Sequence, residues 1–147
     1  MIFSPESNLR LEFTVSRLEH KGPTLIISNN SVTETLNNLS AGPLIYETKI
    51  TFPCKFQIFM QGKGPADTVV DQDGNIIKDI FVRLDNINVD GFSCHPVYLH
   101  RNIWLETDCG QKIQTNYWGF NGQVNLNFDY PNSFYWSLDC VDNLNGA

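Results

Sequence analysis

The chain has 147 residues, the size of one ordinary domain, and a domain of this length buries about 70% of the surface that its unfolded chain exposes. Apolar residues make up 41% of the chain and charged residues only 18%, which excludes a disordered protein. The net charge of −6, with the ten Lys and Arg spread singly along the sequence, excludes a surface for nucleic acid.

Half-buried strands, with one face exposed to solvent, dominate the first half of the sequence. Apolar and polar residues alternate over residues 9–15 and again over 50–60, which is the period of a half-buried strand. Pro53 predicts that the second strand begins or bulges there, or lies at a sheet edge. Between these strands, SVTETLNNLS (Ser31–Ser40) is the only helix candidate, with Ser31 as its cap and Glu34 three residues later.

The stretch VVDQDGNIIKDIF, residues 69–81, places three aspartates around a glycine. Asp71, Asp73 and Asp79 offer oxygen ligands for calcium, but the Glu that closes an EF-hand loop at position 12 is replaced by Val82. Asp-Gly is also a preferred pair for a two-residue type I′ hairpin turn. We therefore predict a hairpin tip, with a weak calcium site at the three aspartates as the alternative; no other cofactor is expected.

The next strand changes phase within residues 80–89. Apolar residues at positions 80, 82 and 84 share one face, whereas those at 87 and 89 continue in the opposite phase. An extra residue at Asp85-Asn86 moves the side chains that follow it to the opposite face of the strand, as a β-bulge does. The sequence therefore predicts a bulged strand.

Three more strands are predicted at residues 97–105, 124–130 and 134–140. The last two flank Pro131-Asn132-Ser133 and predict a closing hairpin. About eight strands at this spacing, with turn signals between them and at most one short helix, indicate an all-β protein. We predict a single antiparallel β-sandwich or jelly-roll-like domain over residues 1–147.

Catalytic motifs are missing from the sequence. It has no GxSxG elbow, no Cys pairs at zinc spacing and no phosphate loop ending in GK[ST], so we predict a protein that is not an enzyme. The four Cys are too few and too widely spaced for a disulfide scaffold, and we expect them to be reduced. For an exported protein, two bridges in any of three pairings remain open.

Aromatic residues gather near the C-terminus with Asn beside them. Tyr117 and Trp118 lie in NYWGFNG, and Tyr135 lies in FDYPNSFYW. Sugar sites combine aromatic faces with amide hydrogen bonds, because a pyranose has apolar faces and a polar rim. These three rings, with Asn116 and Asn121 as the rim, are candidate glycan-binding residues. Tyr and Trp are also enriched at protein interfaces, so a protein contact through the same residues is an equal alternative.

The stretch NYWGFNGQVNLNFDYPNSFYW resembles two kinds of protein. One is the family of small β-sandwich carbohydrate-binding modules with calcium-assisted sites, in which an acidic, Asn-rich strand end lies beside aromatic residues. The other is the group of small all-β virion proteins of tailed bacteriophages, which are Asn-rich, weakly charged and free of catalytic motifs. The second resemblance implies a capsid, neck, baseplate or tail component that contacts other protein subunits, as a homo-oligomer or in a larger assembly. The first implies glycan binding as the alternative.

Signals for membranes and export are missing from the sequence. No apolar run approaches the roughly 18 residues that span a bilayer. The start MIFSPESNLR lacks the basic residues and apolar core of a signal peptide. We therefore expect no membrane insertion and a protein made in the host cytoplasm, which the phage resemblance assigns to the virion. An extracellular location is the alternative if a leader has been removed.

Overall fold

The structure is a computed structural model that describes residues 6–29, 32–64 and 67–142. In chain order its strands are β1 (Glu6–Ser16), β2 (Thr24–Asn29), β3 (Val32–Leu36), β4 (Gly42–Thr51), β5 (Cys54–Gln61), β6 (Thr68–Val70), β7 (Ile76–Asp79), β8 (Phe81–Val89), β9 (Phe92–Ser93), β10 (Trp104–Thr107), β11 (Lys112–Gln114), β12 (Tyr117–Trp118) and β13 (Gly122–Phe128). The helical segments are α1 (Pro96–Arg101), α2 (Ser133–Ser137) and a π-helical turn (Leu138–Asp142).

Two antiparallel sheets form the body of the domain. The five-stranded sheet has the order β12-β8-β1-β4, with β9 also paired to β8. The six-stranded sheet has the order β11-β10-β13-β5-β2-β3. One continuous core cluster draws residues from both sheets. The predicted all-β antiparallel sandwich is confirmed.

The core follows the alternation in the sequence. In β1, residues 9, 11, 13 and 15 are buried, and in β5 residues 54, 56, 58 and 60 are buried, while their neighbours face outward. The β5 strand begins directly after Pro53, as one of the readings of that proline predicted. Burial of every second side chain supplies the main stabilising term of such a sandwich.

The predicted bulge in β8 is confirmed. Glu12 pairs with Asn86 and Phe13 pairs with Leu84, so Asp85 is the extra residue without a partner in β1. The Asp85 carboxylate lies on the outside, where it accepts hydrogen bonds from the Thr14 hydroxyl (2.6 Å) and from Arg83 Nε (2.6 Å). Both halves of β8 therefore keep their apolar residues in the core.

The predicted hairpin at residues 69–81 is also confirmed, as the separate two-stranded sheet of β6 and β7. The prediction of a two-residue type I′ turn is wrong, because the loop spans Asp71–Asn75. Asp71 Oδ1 accepts hydrogen bonds from the backbone N–H groups of Asp73 and Asn75, both at 2.9 Å. These bonds close a longer loop in which Gly74 takes a left-handed conformation (φ 84°).

The helix predicted at Ser31–Ser40 is wrong, and Ser31 itself lies outside the described residues. Val32–Leu36 forms β3 and pairs antiparallel with β2, from Asn29↔Val32 to Leu25↔Leu36. Val32, Thr33 and Thr35 are β-branched and fit a pleated surface, and β2 offers a sheet edge. Pairing with the neighbouring strand β2 therefore outweighs the capping pattern.

The strands predicted at residues 97–101 and 134–140 are wrong for the opposite reason, because local caps begin helices there. His95 Nδ1 accepts from Val97 N–H at 3.1 Å and caps α1, which begins at Pro96. Asn132 Oδ1 accepts from the N–H groups of residues 134 and 135, so the predicted hairpin turn is the start of α2. Within residues 134–140, Trp136, Ser137 and Cys140 are buried, a spacing of three to four residues that fits one face of a helix and not alternate positions of a strand.

The C-terminal helix closes one end of the core. Phe128 in β13 contacts Phe52 and Phe56 edge-on, with ring centroids 6.0 and 5.9 Å apart, and lies 6.4 Å from Trp136. The four Cys are free thiols. No helix within the described ranges is long and apolar enough to cross a membrane.

Replacing Phe128 tests the contribution of this aromatic cluster. We expect Phe128→Ala to lower the free energy of unfolding by about 3–5 kcal/mol, because it removes a fully buried ring and leaves a cavity. The matched control is Phe120→Ala, which removes an exposed ring and should cost about 1 kcal/mol or less. Urea denaturation measures both, and equal losses would contradict the assignment of Phe128 to the core.

Candidate functional site

Trp118 is not available to a ligand. Its side chain is 0% exposed and packs edge-on against Phe13, with centroids 6.1 Å apart. Its indole N–H donates to the Thr115 carbonyl at 3.2 Å. The prediction that Trp118 offers a face to a sugar is therefore corrected: the ring belongs to the core.

The two predicted amides hold the backbone in place. Asn116 Nδ2 donates to the Leu84 carbonyl at 2.8 Å. Asn121 bonds to both backbone groups of Lys63, accepting from its N–H at 3.0 Å and donating to its carbonyl at 2.6 Å. Neither amide is a free rim group.

The two exposed tyrosines lie in different clusters. Tyr117 stacks on Phe81 with centroids 4.4 Å apart, while Tyr135 on α2 packs edge-on against Phe134 at 5.5 Å. Burial, followed by the Asp79 charge, raises the pKa of Tyr117 above its usual value. The predicted aromatic set is therefore divided: one ring is in the core and two are on separate parts of the surface.

One cleft of about 710 Å³ lies against the β6–β7 hairpin and is lined in part by Tyr117, Asn121 and Asp79. Its floor is an ion pair in which Lys63 Nζ lies 2.5 Å from Asp79 Oδ1, and the two side chains are 11% and 9% exposed. Lys63 Nζ also donates to the Gly119 carbonyl at 2.6 Å. The same Asp79 oxygen accepts from the Thr68 hydroxyl at 2.8 Å.

The three predicted calcium ligands do not form one site. Asp71 and Asp73 lie in the hairpin loop, whereas Asp79 pairs with Thr68 at the other end of the hairpin and already faces the Lys63 ammonium. Hydrogen bonds, first from Asn75 N–H, hold the pKa of Asp71 below its usual value. In the described ranges no three His, Cys, Asp or Glu residues are grouped to hold a metal. Calcium binding stays a prediction, without these three as joint ligands.

A different aromatic residue stands out on the surface. Trp104 in β10 is 49% exposed, on the outer face of the six-stranded sheet. It lies in a cleft of about 450 Å³ that is lined by Asn102, Trp104, Glu106, Lys112, Gln123 and Asn125. A second cleft of about 710 Å³ shares Asn125 and continues across the same face along residues 53–57, 125–127 and 129. We name the two clefts together the Trp104 groove.

The pairing of β10 fixes the outward position of Trp104. Leu105 pairs with Val124 and Ile113, and all three lie in the inward phase of their strands. Trp104, as its neighbour in the strand, must then point to the other face. The sequence contains this signal: in IWLET the tryptophan occupies the polar phase of an alternating strand, a position that sequence reasoning overlooked.

An amide ladder forms the floor of the groove beside Trp104. Gln57 Nε2 and Gln123 Nε2 both donate to Asn125 Oδ1, at 3.0 and 3.1 Å. Asn125 and Gln57 face each other across β13 and β5. The ladder uses neither the Asn125 Nδ2 group nor the glutamine Oε1 atoms. The floor can thus offer both donors and acceptors to ligand hydroxyls.

No protein-family model and no curated protein matches this chain. Among solved structures, two of the carbohydrate-binding module vCBM60 are similar in fold, each with a TM-score of 0.48 and 11% identity over 82% of this chain. One is described as linking two families of calcium-dependent carbohydrate-binding modules by circular permutation and is covered over 90% of its length. The other is a complex with galactobiose, covered over 97%. Similarity at this level does not assign a function to this chain.

Removing the charge of Lys63 tests the ion pair under the hairpin. We expect Lys63→Met to destabilise the protein by about 3–5 kcal/mol, because it leaves the Asp79 carboxylate buried without a counter-charge. The double variant K63M/D79N should recover much of this loss, because neither charge remains. Arg83→Ala breaks the exposed Arg83–Asp85 pair and is the control, with an expected cost below about 1 kcal/mol. Denaturant titration measures the free energy of unfolding of each variant. A loss for Lys63→Met no larger than the loss for Arg83→Ala would contradict the assignment of a buried Lys63–Asp79 ion pair.

Proposed function

We propose that this chain is a carbohydrate-binding module, without catalytic activity of its own, that holds a glycan chain in the Trp104 groove. The observation that carries this proposal is the half-exposed Trp104 beside a row of amide side chains. A half-exposed aromatic ring beside fixed hydrogen-bonding groups is typical of a ligand site. A sugar ring is a ligand that suits this combination of groups.

The chemistry of the groove matches a pyranose. The axial C–H groups of a sugar form an apolar patch that packs on an aromatic face, and its hydroxyls require donors and acceptors around the ring. Trp104 supplies the face. Asn125, Gln57 and Gln123 supply the hydrogen bonds from a ladder whose geometry is already fixed, so little side-chain entropy is lost on binding.

The shape of the groove favours a chain over a single sugar. Its lining comes from β11, β10, β13 and β5. Four neighbouring strands span about 14 Å across a sheet. This span is longer than a single sugar ring. We therefore favour internal segments of a linear polysaccharide as the ligand.

The charges of the groove favour a neutral glycan. Glu106 faces Lys112 across β10 and β11, and the far end carries one Lys and one Asp, Lys55 and Asp129. Opposite charges in equal number give no net attraction for a uronic acid or a sulfated sugar. A neutral polysaccharide avoids the desolvation of an unpaired charge.

A protein-contact module is the second candidate, and the β6–β7 hairpin favours it. Val69, Val70, Ile76 and Ile77 are all exposed on this two-stranded ribbon, with exposed fractions from 41% to 63%. Exposed apolar residues grouped in this way often mark a contact surface for another protein. The phage virion role and the expected homo-oligomer remain predictions on this line.

Binding to immobilised neutral polysaccharides tests the proposal. We expect retardation of the protein in native gels that contain at least one of β-glucan, xylan, mannan or galactan. Trp104→Ala should weaken that binding by about 30-fold or more, the effect of removing a central aromatic contact. Circular dichroism must show that the variant is folded.

The control is Tyr135→Ala, which removes another exposed aromatic ring outside the groove and should bind as the parent does. Failure of all neutral polysaccharides to bind would contradict the proposal. So would binding that Trp104→Ala leaves unchanged. If Tyr117→Ala abolishes binding instead, the site is the cleft below the hairpin.

A further inference from the structure

The strand β4 has an open edge. It is ten residues long and pairs with β1 over its whole length, from Glu6↔Thr51 to Val15↔Gly42. Among the residues that the structure describes, no strand pairs with its other side. Such an edge presents a row of backbone donors and acceptors that can pair with a further strand.

The side chains of β4 divide cleanly between the two faces. Tyr46 and Ile50 are buried in the core. Ile45, Glu47 and Lys49 lie on the outer face of the five-stranded sheet. The Glu47 and Lys49 side chains are 67% and 71% exposed, and Glu47 forms a long ion pair with Arg10 and Lys49 one with Glu6, both at 3.7 Å.

Symmetry limits how β4 can pair with β4 of a second copy. When two copies of β4 pair antiparallel about a two-fold axis, each core-facing residue must lie opposite a core-facing residue of the other copy. Otherwise one copy would turn its core face to the outside of the joined sheet. An axis at Glu47 or at Lys49 places that charge opposite itself. An axis at Thr48 places Glu47 of each copy opposite Lys49 of the other.

We propose that β4 pairs with β4 of a second copy about an axis at Thr48, joining the two five-stranded sheets into one continuous sheet. This register pairs residues 45–51 of each copy. On the outer face it forms two Glu47–Lys49 pairs, and opposite charges directly across an antiparallel pair are stabilising. On the core face it sets Tyr46 opposite Ile50, an aromatic beside a β-branched residue, which is also a favourable cross-strand pair.

Neighbouring features fit this register. Pro43, which has no N–H to donate, lies outside the paired segment. Arg10 faces Glu47 across β1 and β4, so Glu47 would lie between two cations. The outer edge of β3 has five residues and contains Glu34 without a cation in the strand, and the edge strands β11 and β12 have only three and two residues. The charge pattern therefore selects β4, and it selects a second copy as the occupant.

Charge reversal on the full-length protein tests the proposal. Sedimentation velocity over a wide concentration range should show a species of twice the chain mass for the parent. Glu47→Lys and Lys49→Glu should each weaken the dimer by about tenfold or more, because each turns two attractive pairs into two repulsive ones. The double variant E47K/K49E should associate more tightly than either single variant, since it restores both pairs in reverse. An equal mixture of the E47K and K49E proteins should form mixed dimers.

The matched control is Lys55→Glu, a charge reversal on the other sheet, which should leave dimer formation unchanged. Protection of the amides of residues 45–51 against hydrogen exchange should rise with protein concentration. Three outcomes would overturn the proposal: a parent that stays monomeric at every concentration, a dimer that neither single reversal weakens, or concentration-dependent protection at β3 or at the β6–β7 hairpin instead of β4. Equal thermal stability of the variants as monomers shows that a loss of association is not a loss of folding.

Discussion

The alternation of buried and exposed side chains along paired strands is the constraint on which the rest of this molecule depends. Once Leu105 is fixed in the core by its pairing with Val124 and Ile113, its neighbour Trp104 has no position except the outer face. The core therefore determines which side chains line the Trp104 groove. It also fixes which residues of β4 would meet a second copy in the proposed dimer, because burial of Tyr46 and Ile50 sets the phase of Glu47 and Lys49.

The two outer faces of the sandwich are suited to different tasks. The six-stranded sheet carries Trp104 and the amide ladder, and its groove crosses four strands. The five-stranded sheet ends in the open edge of β4. A dimer formed through that edge would leave both grooves free, so two weak glycan sites could act together on one polysaccharide and gain affinity through multivalency.

Sequence reasoning recovered the features that period and turn chemistry determine. The strand at residues 9–15, the bulge at Asp85 and the hairpin at residues 69–81 follow from local patterns, and the structure confirms them. The β3 strand was missed because the capping pattern of Ser31–Ser40 hides its pairing with the neighbouring strand β2, and α2 because a Pro-Asn-Ser stretch that indicates a turn also supplies the Asn132 helix cap. Trp118 was predicted to be exposed and is buried, whereas Trp104 is exposed and was overlooked. The sequence NYWGFNG has no alternation that assigns Trp118 to a face, but the alternation in IWLET assigns Trp104 to the polar face.

Acrylamide quenching of tryptophan fluorescence tests the central claim most directly, because Trp118 and Trp136 are fully buried and only Trp104 is exposed. We expect one accessible tryptophan, which is lost in Trp104→Ala and becomes protected when a neutral polysaccharide retained by the protein is added. Glycan binding that leaves Trp104 equally accessible to acrylamide would contradict the proposed site, because the glycan would then lie away from Trp104.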